Sequence, residues 1–125
     1  MVAEVYYPGL ESHPDRDTLS IHTGMISFVV TGEDNNEVLH RARNPCENLR
    51  VINLAVSLGG VESLCKHPVS MTHTIIPQEK RMKGGLKDRF IRIIVGLERA
   101  RDLVDDLHNL LDLCDGEGCD VPEDV

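Results

Sequence analysis

The sequence predicts an α+β domain, with a mainly antiparallel sheet of about four strands and helices on one of its faces. Apolar runs rich in β-branched residues alternate with segments of helical periodicity, and Gly- or Pro-containing turns separate them. The sequence also lacks a Gly-rich phosphate loop of the kind that opens a parallel nucleotide-binding fold. With 125 residues, the chain is long enough for one domain with its own core and too short for two.

The first half of the chain predicts three strands and one helix. Glu4–Tyr7 is a short apolar run that ends at a Pro-Gly turn, and Met25–Val30 has the β-branched and aromatic composition of a buried strand. Asn35–Arg43 shows the apolar edge of a short helix, which must end before Pro45 because proline lacks the amide hydrogen that would continue it. Val51–Val56 is rich in Val and Ile and predicts a further strand, followed by a glycine pair that permits a sharp exit.

The second half predicts one helical turn, two strands and a long helix. Val61–Lys66 is interpreted as a helical turn or two, and Met71–Ile76 as a strand before a polar, basic loop. Arg89–Gly96 predicts a central strand, in which Arg92 is the one charged residue among apolar neighbours. Glu98–Leu113 repeats its apolar residues at steps of three and four, which is typical of one face of an amphipathic helix.

The charge balance restricts the partners of this protein. Its 13 Lys and Arg residues against 21 Asp and Glu residues give a formal charge of −8. Such a charge repels nucleic-acid phosphates and anionic lipid, so we expect neither a nucleic-acid nor a membrane partner. The N-terminus has no basic region followed by an apolar signal core, which favours a cytoplasmic protein.

Two groups of cysteine and histidine residues are candidate metal or redox sites. Cys114 and Cys119 lie in the acidic segment 114–125, for which we predict an unstructured tail, although the pair would also suit a disulfide or two thiolate ligands. Cys65, His67 and His73 form a second possible cluster. The alternative interpretation of that cluster is one loop histidine and one histidine packed against the sheet.

Three long strings carry a resemblance to a known family: VYYPGLESHPDRD, LAVSLGGVESLCKHPVSMTH and RFIRIIVGLE. In this order they resemble consecutive segments of the trans-sulfuration family of pyridoxal-phosphate (PLP) enzymes, which includes cystathionine γ-lyase and methionine γ-lyase. The resemblance runs from about Glu4 to Leu113. It implies that residues 1–113 are the small C-terminal, substrate-binding domain of a fold-type-I PLP enzyme.

The resemblance implies roles for four residues. Arg92 matches the arginine that holds the substrate α-carboxylate, a role that suits a planar guanidinium with two parallel donors. Ser57 matches a serine whose loop also meets the carboxylate, and Thr72 a residue near substrate and cofactor. Val56 stands where many cystathionine enzymes have Glu, and an apolar residue there favours a thioether substrate. The alternatives are an edge-strand arginine in a surface salt bridge, a turn serine and an ordinary strand valine.

The family's catalytic groups are a Schiff-base lysine, an aspartate on the pyridine nitrogen and a stacked tyrosine, and the resemblance places all of them in a larger preceding domain. We therefore nominate no catalytic residue here and do not expect PLP to bind this chain covalently. None of the four lysines matches the family's lysine motif: Lys66, Lys80, Lys83 and Lys87. Two positions depart from the family pattern, because Ile94 replaces a serine and Arg89 a turn glycine.

Three functional hypotheses follow. The first is the C-terminal part of a PLP-dependent carbon–sulfur lyase that acts on a sulfur amino acid, inactive without the lysine-bearing domain. The second is a non-catalytic short protein that associates with full-length subunits of the family. The third is a small metal or redox protein that uses the cysteines of the tail.

Overall fold

The computed structural model of the protein describes residues 2–32, 43 and 45–115. Its elements in chain order are β1 (Val2–Tyr6), a 3-10 turn (Arg16–Thr18), β2 (Met25–Val30), β3 (Asn53–Leu54), β4 (Leu64–Lys66), α1 (Pro68–Met71), α2 (Gln78–Lys83), β5 (Phe90–Ile94) and α3 (Ala100–Asp115).

The strands form one sheet in the order β1-β2-β5-β4-β3. The β1–β2, β2–β5 and β4–β5 pairs are antiparallel, whereas β3 and β4 run parallel. The predicted α+β class is therefore confirmed, but the sheet is mixed and has five strands instead of about four. β4 was not predicted as a strand, because it has only three residues and shows no sustained period in the sequence.

The sheet buries one face under α3 and carries polar groups on the other. Residues paired in register point to the same face, and we call the side that carries five apolar residues the core face: Ile26, Phe28, Cys65, Ile91 and Ile93. Leu103 and Leu110 of α3 belong to the same buried cluster as Phe28 and Ile91. The predicted amphipathic helix is thus confirmed, and it ends at Asp115, two residues beyond the predicted Leu113.

Two element predictions were wrong around residue 68. The segment Val61–Lys66, predicted as a helical turn, contains β4, because pairing with β5 outweighs its weak local preference. Met71–Ile76, predicted as a strand, begins with the last residue of α1 and continues through turns. The missed signal is His67 followed by Pro68, since the histidine side chain caps the helix and proline suits the first helical position.

Two further strand boundaries differ, and one helix was not predicted. Strand pairing covers Val2–Tyr6 instead of Glu4–Tyr7 and only Asn53–Leu54 of the predicted Val51–Val56. The predicted basic loop contains α2, whose residues are good helix formers. The predicted helix Asn35–Arg43, apart from Arg43, and the tail from residue 116 lie outside the described residues. Among the helices of the described segments, none is long and apolar enough to cross a bilayer.

Candidate functional site

Arg92 lies at the centre of the sheet. β5 is the middle strand of the five, so the alternative interpretation of Arg92 as an edge-strand arginine is wrong. The side chain is half-buried, and its Nε donates to the Ser27 hydroxyl of β2 at 3.4 Å. Within the described residues, no carboxylate is bonded to this guanidinium. Arg92 is therefore a partly desolvated cation held by a neutral neighbour.

A row of polar side chains crosses the sheet at the level of Arg92. Tyr6, Ser27, Arg92 and Lys66 are in register on four adjacent strands and share the face opposite the core, which we call the Arg92 face. Lys66 is only 9% exposed and Ser27 only 7%. Two cations thus stand side by side on neighbouring strands, an arrangement that is unfavourable unless an anion or solvent screens it.

Glu4 of β1 also lies on the Arg92 face, but its carboxylate is already engaged. It accepts hydrogen bonds from Lys87 Nζ and the Tyr6 hydroxyl. The bond from Lys87, followed by that from Tyr6, lowers the pKa of the Glu4 carboxyl below its ordinary value. The carboxylate is therefore ionised and directed to these two partners.

The Ser57 loop forms one wall of a cavity on the Arg92 face. Ser57 Oγ bonds within its own turn, accepting from the amide of Gly59 and donating to the Gly59 carbonyl, both at 3.3 Å. Gly59 lies against Ile94, which is two residues beyond Arg92 on the same face. The cavity measures about 360 Å³ and is lined by Thr23, Gly24, Met25, Leu58, Gly59, Gly60, Ile94 and Val95. Val56, just before the loop, is 58% exposed.

Thr72 follows the last residue of α1 as its C-cap, and it is exposed to solvent. Its hydroxyl donates to the Pro68 carbonyl at 3.1 Å and bonds His73 Nδ1 at 2.7 Å. In the described part of the chain, no bond joins Thr72 or Ser57 to Arg92. The sequence-predicted residues therefore divide into Arg92 on the sheet, Val56 and Ser57 on a loop, and Thr72 at a helix end.

A buried network that the sequence analysis missed fixes the turn before β5. Asp88 is fully buried, accepts from Arg81 at 2.8 Å and from Gln78 at 2.7 Å, and its carbonyl lies 2.7 Å from His67 Nε2. Because a carbonyl only accepts, Nε2 carries the proton and Nδ1 accepts from the Ser70 hydroxyl at 2.8 Å. Burial lowers the pKa of His67, which keeps the ring neutral. The network anchors α1 and α2 to the strand that carries Arg92.

A second missed cluster fixes the turn after β5. Glu98 accepts from the amide and hydroxyl of buried Ser63, at 2.7 and 2.6 Å, and the Gly96 amide donates to the same hydroxyl at 2.7 Å. A Cβ on Gly96 would lie 2.5 Å from the Val61 carbonyl oxygen, which explains the glycine. The bonds from Ser63 lower the pKa of Glu98. Both ends of the Arg92 strand are thus held by polar contacts.

The candidate metal sites are not assembled in the described residues, where no three His, Cys, Asp or Glu side chains form a group that could hold a metal ion. Cys65 points to the core face, and both ring nitrogens of His67 are hydrogen-bonded. A hydrogen bond with Cys65, together with burial, raises the pKa of the Cys46 thiol. Cys114 is in the last turn of α3, and its suggested partner Cys119 is outside the described residues.

The described residues do not fit a self-contained PLP site. Lys80 and Lys83 are exposed on α2, and Lys87 is bonded to Glu4, so none of the three is enclosed as a Schiff-base lysine must be. Lys66 is enclosed but stands beside Arg92. We therefore assign no described residue to the cofactor.

Relatives with known names match most of this chain. It is 46% identical over 115 residues to the cystathionine β-lyase of Lactococcus lactis subsp. cremoris (strain MG1363) and 42% identical over 115 residues to the cystathionine γ-lyase of Sus scrofa, covering 89% of this chain in both cases. These matches cover 29% and 27% of the relatives, so the chain spans less than a third of the length of the curated relatives it matches.

Solved structures of similar enzymes point to the same group of relatives. The cystathionine γ-lyase of Lactobacillus plantarum, solved with L-serine, superposes with a TM-score of 0.77 at 37% identity, covering 90% of this chain and 29% of that one. The cystathionine γ-synthase of Xanthomonas oryzae pv. oryzae, solved with aminoacrylate and cysteine, gives 0.73 at 41% identity, covering 91% and 29%.

A family model agrees with both kinds of relative. The model described as Cys/Met metabolism PLP-dependent enzyme matches residues 1–112. This range includes the described sheet, the cavity and nearly all of α3. The trans-sulfuration resemblance is confirmed, and the chain belongs to the family of Cys/Met metabolism PLP-dependent enzymes.

Proposed function

We propose that this chain is the substrate-carboxylate-binding part of a PLP-dependent carbon–sulfur lyase, and that Arg92 is the residue that holds the α-carboxylate. The single observation that carries the proposal is the position of Arg92, a half-buried cation on the central strand whose described bond is to a neutral hydroxyl. A guanidinium in that state retains donors for a carboxylate.

The neighbourhood of Arg92 supports a ligand that is anionic at one end and apolar at the other. Lys66 adds positive charge beside Arg92, while Ile94, two residues further along the strand, lines a cavity of mixed polarity in which Met25 and Leu58 supply apolar surface. A sulfur amino acid has this polarity, with a carboxylate at one end and a thioether or thiol along its side chain. The exposed Val56 offers an apolar contact at the entrance of the Ser57 loop and no carboxylate, which favours a thioether substrate.

Ser57 and Thr72 are assigned supporting roles in this proposal. The Ser57 hydroxyl is occupied only within its own turn, so it would be available to a carboxylate after a small rotation. The role proposed for Thr72, near substrate and cofactor, rests on the family pattern alone. The PLP-bearing lysine would come from the part of the relatives that this chain does not match, so the chain alone is proposed to be inactive.

A chimeric enzyme tests this function. The matched C-terminal segment of the Lactococcus cystathionine β-lyase would be replaced by this chain, and release of free thiol from cystathionine would be measured. We expect PLP-dependent activity in the chimera. Arg92→Leu should raise KM by roughly 30-fold or more, equivalent to about 2 kcal/mol for a lost charge-assisted contact. Arg101→Leu, an exposed arginine of α3, is the matched control and should leave KM unchanged.

The outcomes are distinct. A chimera that binds PLP and folds but gives equal KM values for Arg92→Leu and Arg101→Leu would remove Arg92 from the carboxylate site. A folded chimera that binds PLP but releases no thiol from any sulfur amino acid would contradict the lyase assignment.

A second candidate function is association with full-length subunits of the family. The observation that favours it is the exposure of large apolar side chains on the described surface, including Ile75 at 93%, Leu97 at 82% and Leu58 at 79%. Adding the separate chain to the intact Lactococcus enzyme distinguishes the two functions. Stable binding that changes the activity of that enzyme, and that Arg92→Leu does not affect, would favour the interaction role.

A further inference from the structure

Lys66 is a largely covered lysine without a partner in the described residues. It lies at the end of β4 with only 9% of its surface exposed, and no hydrogen bond or ion pair of its ammonium group is found in residues 2–32, 43 and 45–115. Its Nζ is not one of the buried, unpartnered side-chain atoms of those residues, so the stem is covered while the charged end reaches the surface. The charge of Lys66 is therefore accessible to a ligand on the Arg92 face.

Arg92 is the cross-strand neighbour of Lys66. The two residues are directly paired between β4 and β5, so their side chains leave the same face of the sheet a few ångströms apart. The Arg92 Nε is directed to Ser27 on β2, which is the strand on the side away from Lys66. The two positive groups are thus adjacent on the Arg92 face.

The other described groups in this row cannot neutralise the pair. Ser27 is neutral, and the Tyr6 hydroxyl is bonded to Glu4. Glu4, the carboxylate that β1 places on this face, is held by Lys87 as well. The row thus keeps two cations and no uncommitted acid among the residues that face them.

We propose that Lys66 is a second anion-binding residue that takes the same carboxylate as Arg92, so that the ligand site is doubly cationic. Arg92 supplies the planar fork and Lys66 a point charge from the neighbouring strand, and together they fit the two oxygens of one carboxylate. This proposal rests on the proposed function and adds a specificity residue to it. It predicts a site selective for a carboxylate over a neutral amide of the same shape.

A purely structural Lys66 would behave differently on substitution. If its stem only packs over the sheet, Lys66→Met should preserve both stability and ligand binding. If its charge were needed to hold the fold, the same change should lower the melting temperature. A lysine retained for an anion gives a third result, with an unchanged or higher melting temperature and weaker carboxylate binding, because the change removes repulsion from Arg92 and an attraction to the ligand together.

The experiment uses the whole 125-residue chain and sodium acetate as the carboxylate probe. Amide NMR signals of residues 27, 66 and 92 are followed at constant ionic strength, with acetamide and sodium chloride as controls. The variants are Lys66→Met, Lys66→Arg and Arg92→Leu, and Lys80→Met on the exposed face of α2 is the matched control. We expect saturable shifts with acetate alone, about tenfold weaker binding in Lys66→Met, near-recovery in Lys66→Arg, and no change in Lys80→Met.

The same substitutions in the chimeric enzyme give an independent measurement, in which Lys66→Met should raise KM and leave kcat nearly unchanged. Acetate binding by Lys66→Met equal to that of the unaltered chain would overturn the role of Lys66, while loss of binding in Arg92→Leu in that same series would leave the proposed function intact. Absence of saturable acetate binding in the unaltered chain would count against both proposals.

Discussion

Arg92 and Arg81 show at the scale of single residues how the same side chain serves two purposes. Arg81 is 7% exposed and is paired with fully buried Asp88 at 2.8 Å, with a further bond from its Nη1 to the Ile76 carbonyl. Within the described residues, Arg92 has no carboxylate partner, and its one hydrogen bond is the longer contact of 3.4 Å with the Ser27 hydroxyl. The first arrangement pairs the guanidinium with a buried carboxylate inside the fold, although its Nε has no hydrogen-bond partner, whereas the second leaves the guanidinium without a described counter-ion.

This contrast predicts opposite effects of the same substitution on stability. Arg92→Leu should leave the melting temperature of the chain unchanged or slightly higher, because it removes an unpaired cation beside Lys66. Arg81→Leu should destabilise the fold by about 3 kcal/mol or more, because it leaves the Asp88 carboxylate buried without its counter-ion. Thermal melts followed by circular dichroism measure both. Unfolding of the Arg92→Leu chain would make Arg92 a structural ion-pair partner, leaving the family pattern as the main support for its role.

At the scale of elements, the sequence predicted the long helices and strands correctly and the short ones poorly, because a long element repeats its hydrophobic pattern over more residues. β2, β5 and α3 were predicted because each repeats its pattern over five residues or more. β4 has three residues and exists through its pairing with β5, and the four residues of α1 depend on a histidine cap and a proline. Such short elements are set by tertiary contacts that no local pattern contains.

The residues of the candidate site also differ in how well the sequence predicted them. Arg92 could be selected from the sequence, because it is the one charged residue in an otherwise apolar strand. Lys66 was not selected, because the segment around it was predicted as helix and its neighbour in the fold is 26 positions away in sequence. Asp106 did carry a local signal, since it lies on the apolar face of α3 between Leu103 and Leu110. Its hydrogen-bond partners, however, come from the distant segment 50–52.

Asp106 yields a prediction about how α3 is fixed to the sheet. Its carboxylate accepts from the amides of Arg50, Val51 and Ile52 at 2.9 to 3.1 Å. Burial opposes ionisation, but the three amide donors prevail and lower the pKa of Asp106 below its ordinary value. Because the folded-state pKa is below the unfolded-state pKa, this contribution is complete above about pH 4 and is lost as the pH falls through the folded-state value.

Asp106→Asn should therefore reduce the free energy of unfolding at pH 7 by about 1–3 kcal/mol and flatten the decline of stability as the pH falls below about 4. Asp105→Asn, an exposed neighbour on the same helix, is the control and should show neither effect. Denaturant titrations at several pH values provide the measurement. Equal acid profiles for the two variants would show that the contacts of Asp106 with residues 50–52 do not stabilise the fold.

At the scale of the whole molecule, the chain combines a well-held core with surfaces that the described residues leave uncovered. The Asp88 and Ser63 clusters fix both ends of β5, and α3 closes the core face. By contrast, Ile75, Leu97 and Leu58 stand in solvent, and the Arg92 face carries two adjacent cations. Under the proposed function, these uncovered surfaces would bind one end of a substrate and meet the part of the enzyme that this chain, which matches less than a third of its relatives, does not include.

The last prediction concerns the cofactor of the family. The purified chain should not form a stoichiometric covalent complex with PLP, because a Schiff-base lysine must be enclosed and held against a phosphate cradle, whereas Lys80 and Lys83 are exposed and Lys87 is bonded to Glu4. Titration with PLP, visible absorbance and borohydride trapping followed by peptide mapping measure this, with the chimeric enzyme as the positive control. We expect slow labelling that does not saturate and is spread over the exposed lysines.

Lys66 is the informative position in this experiment, because it alone among the four lysines is buried. Saturable trapping on Lys66 at low micromolar PLP would mean that Lys66 forms a Schiff base with the cofactor instead of binding a substrate carboxylate, and both the inactivity of the separate chain and the role of Lys66 would have to be abandoned.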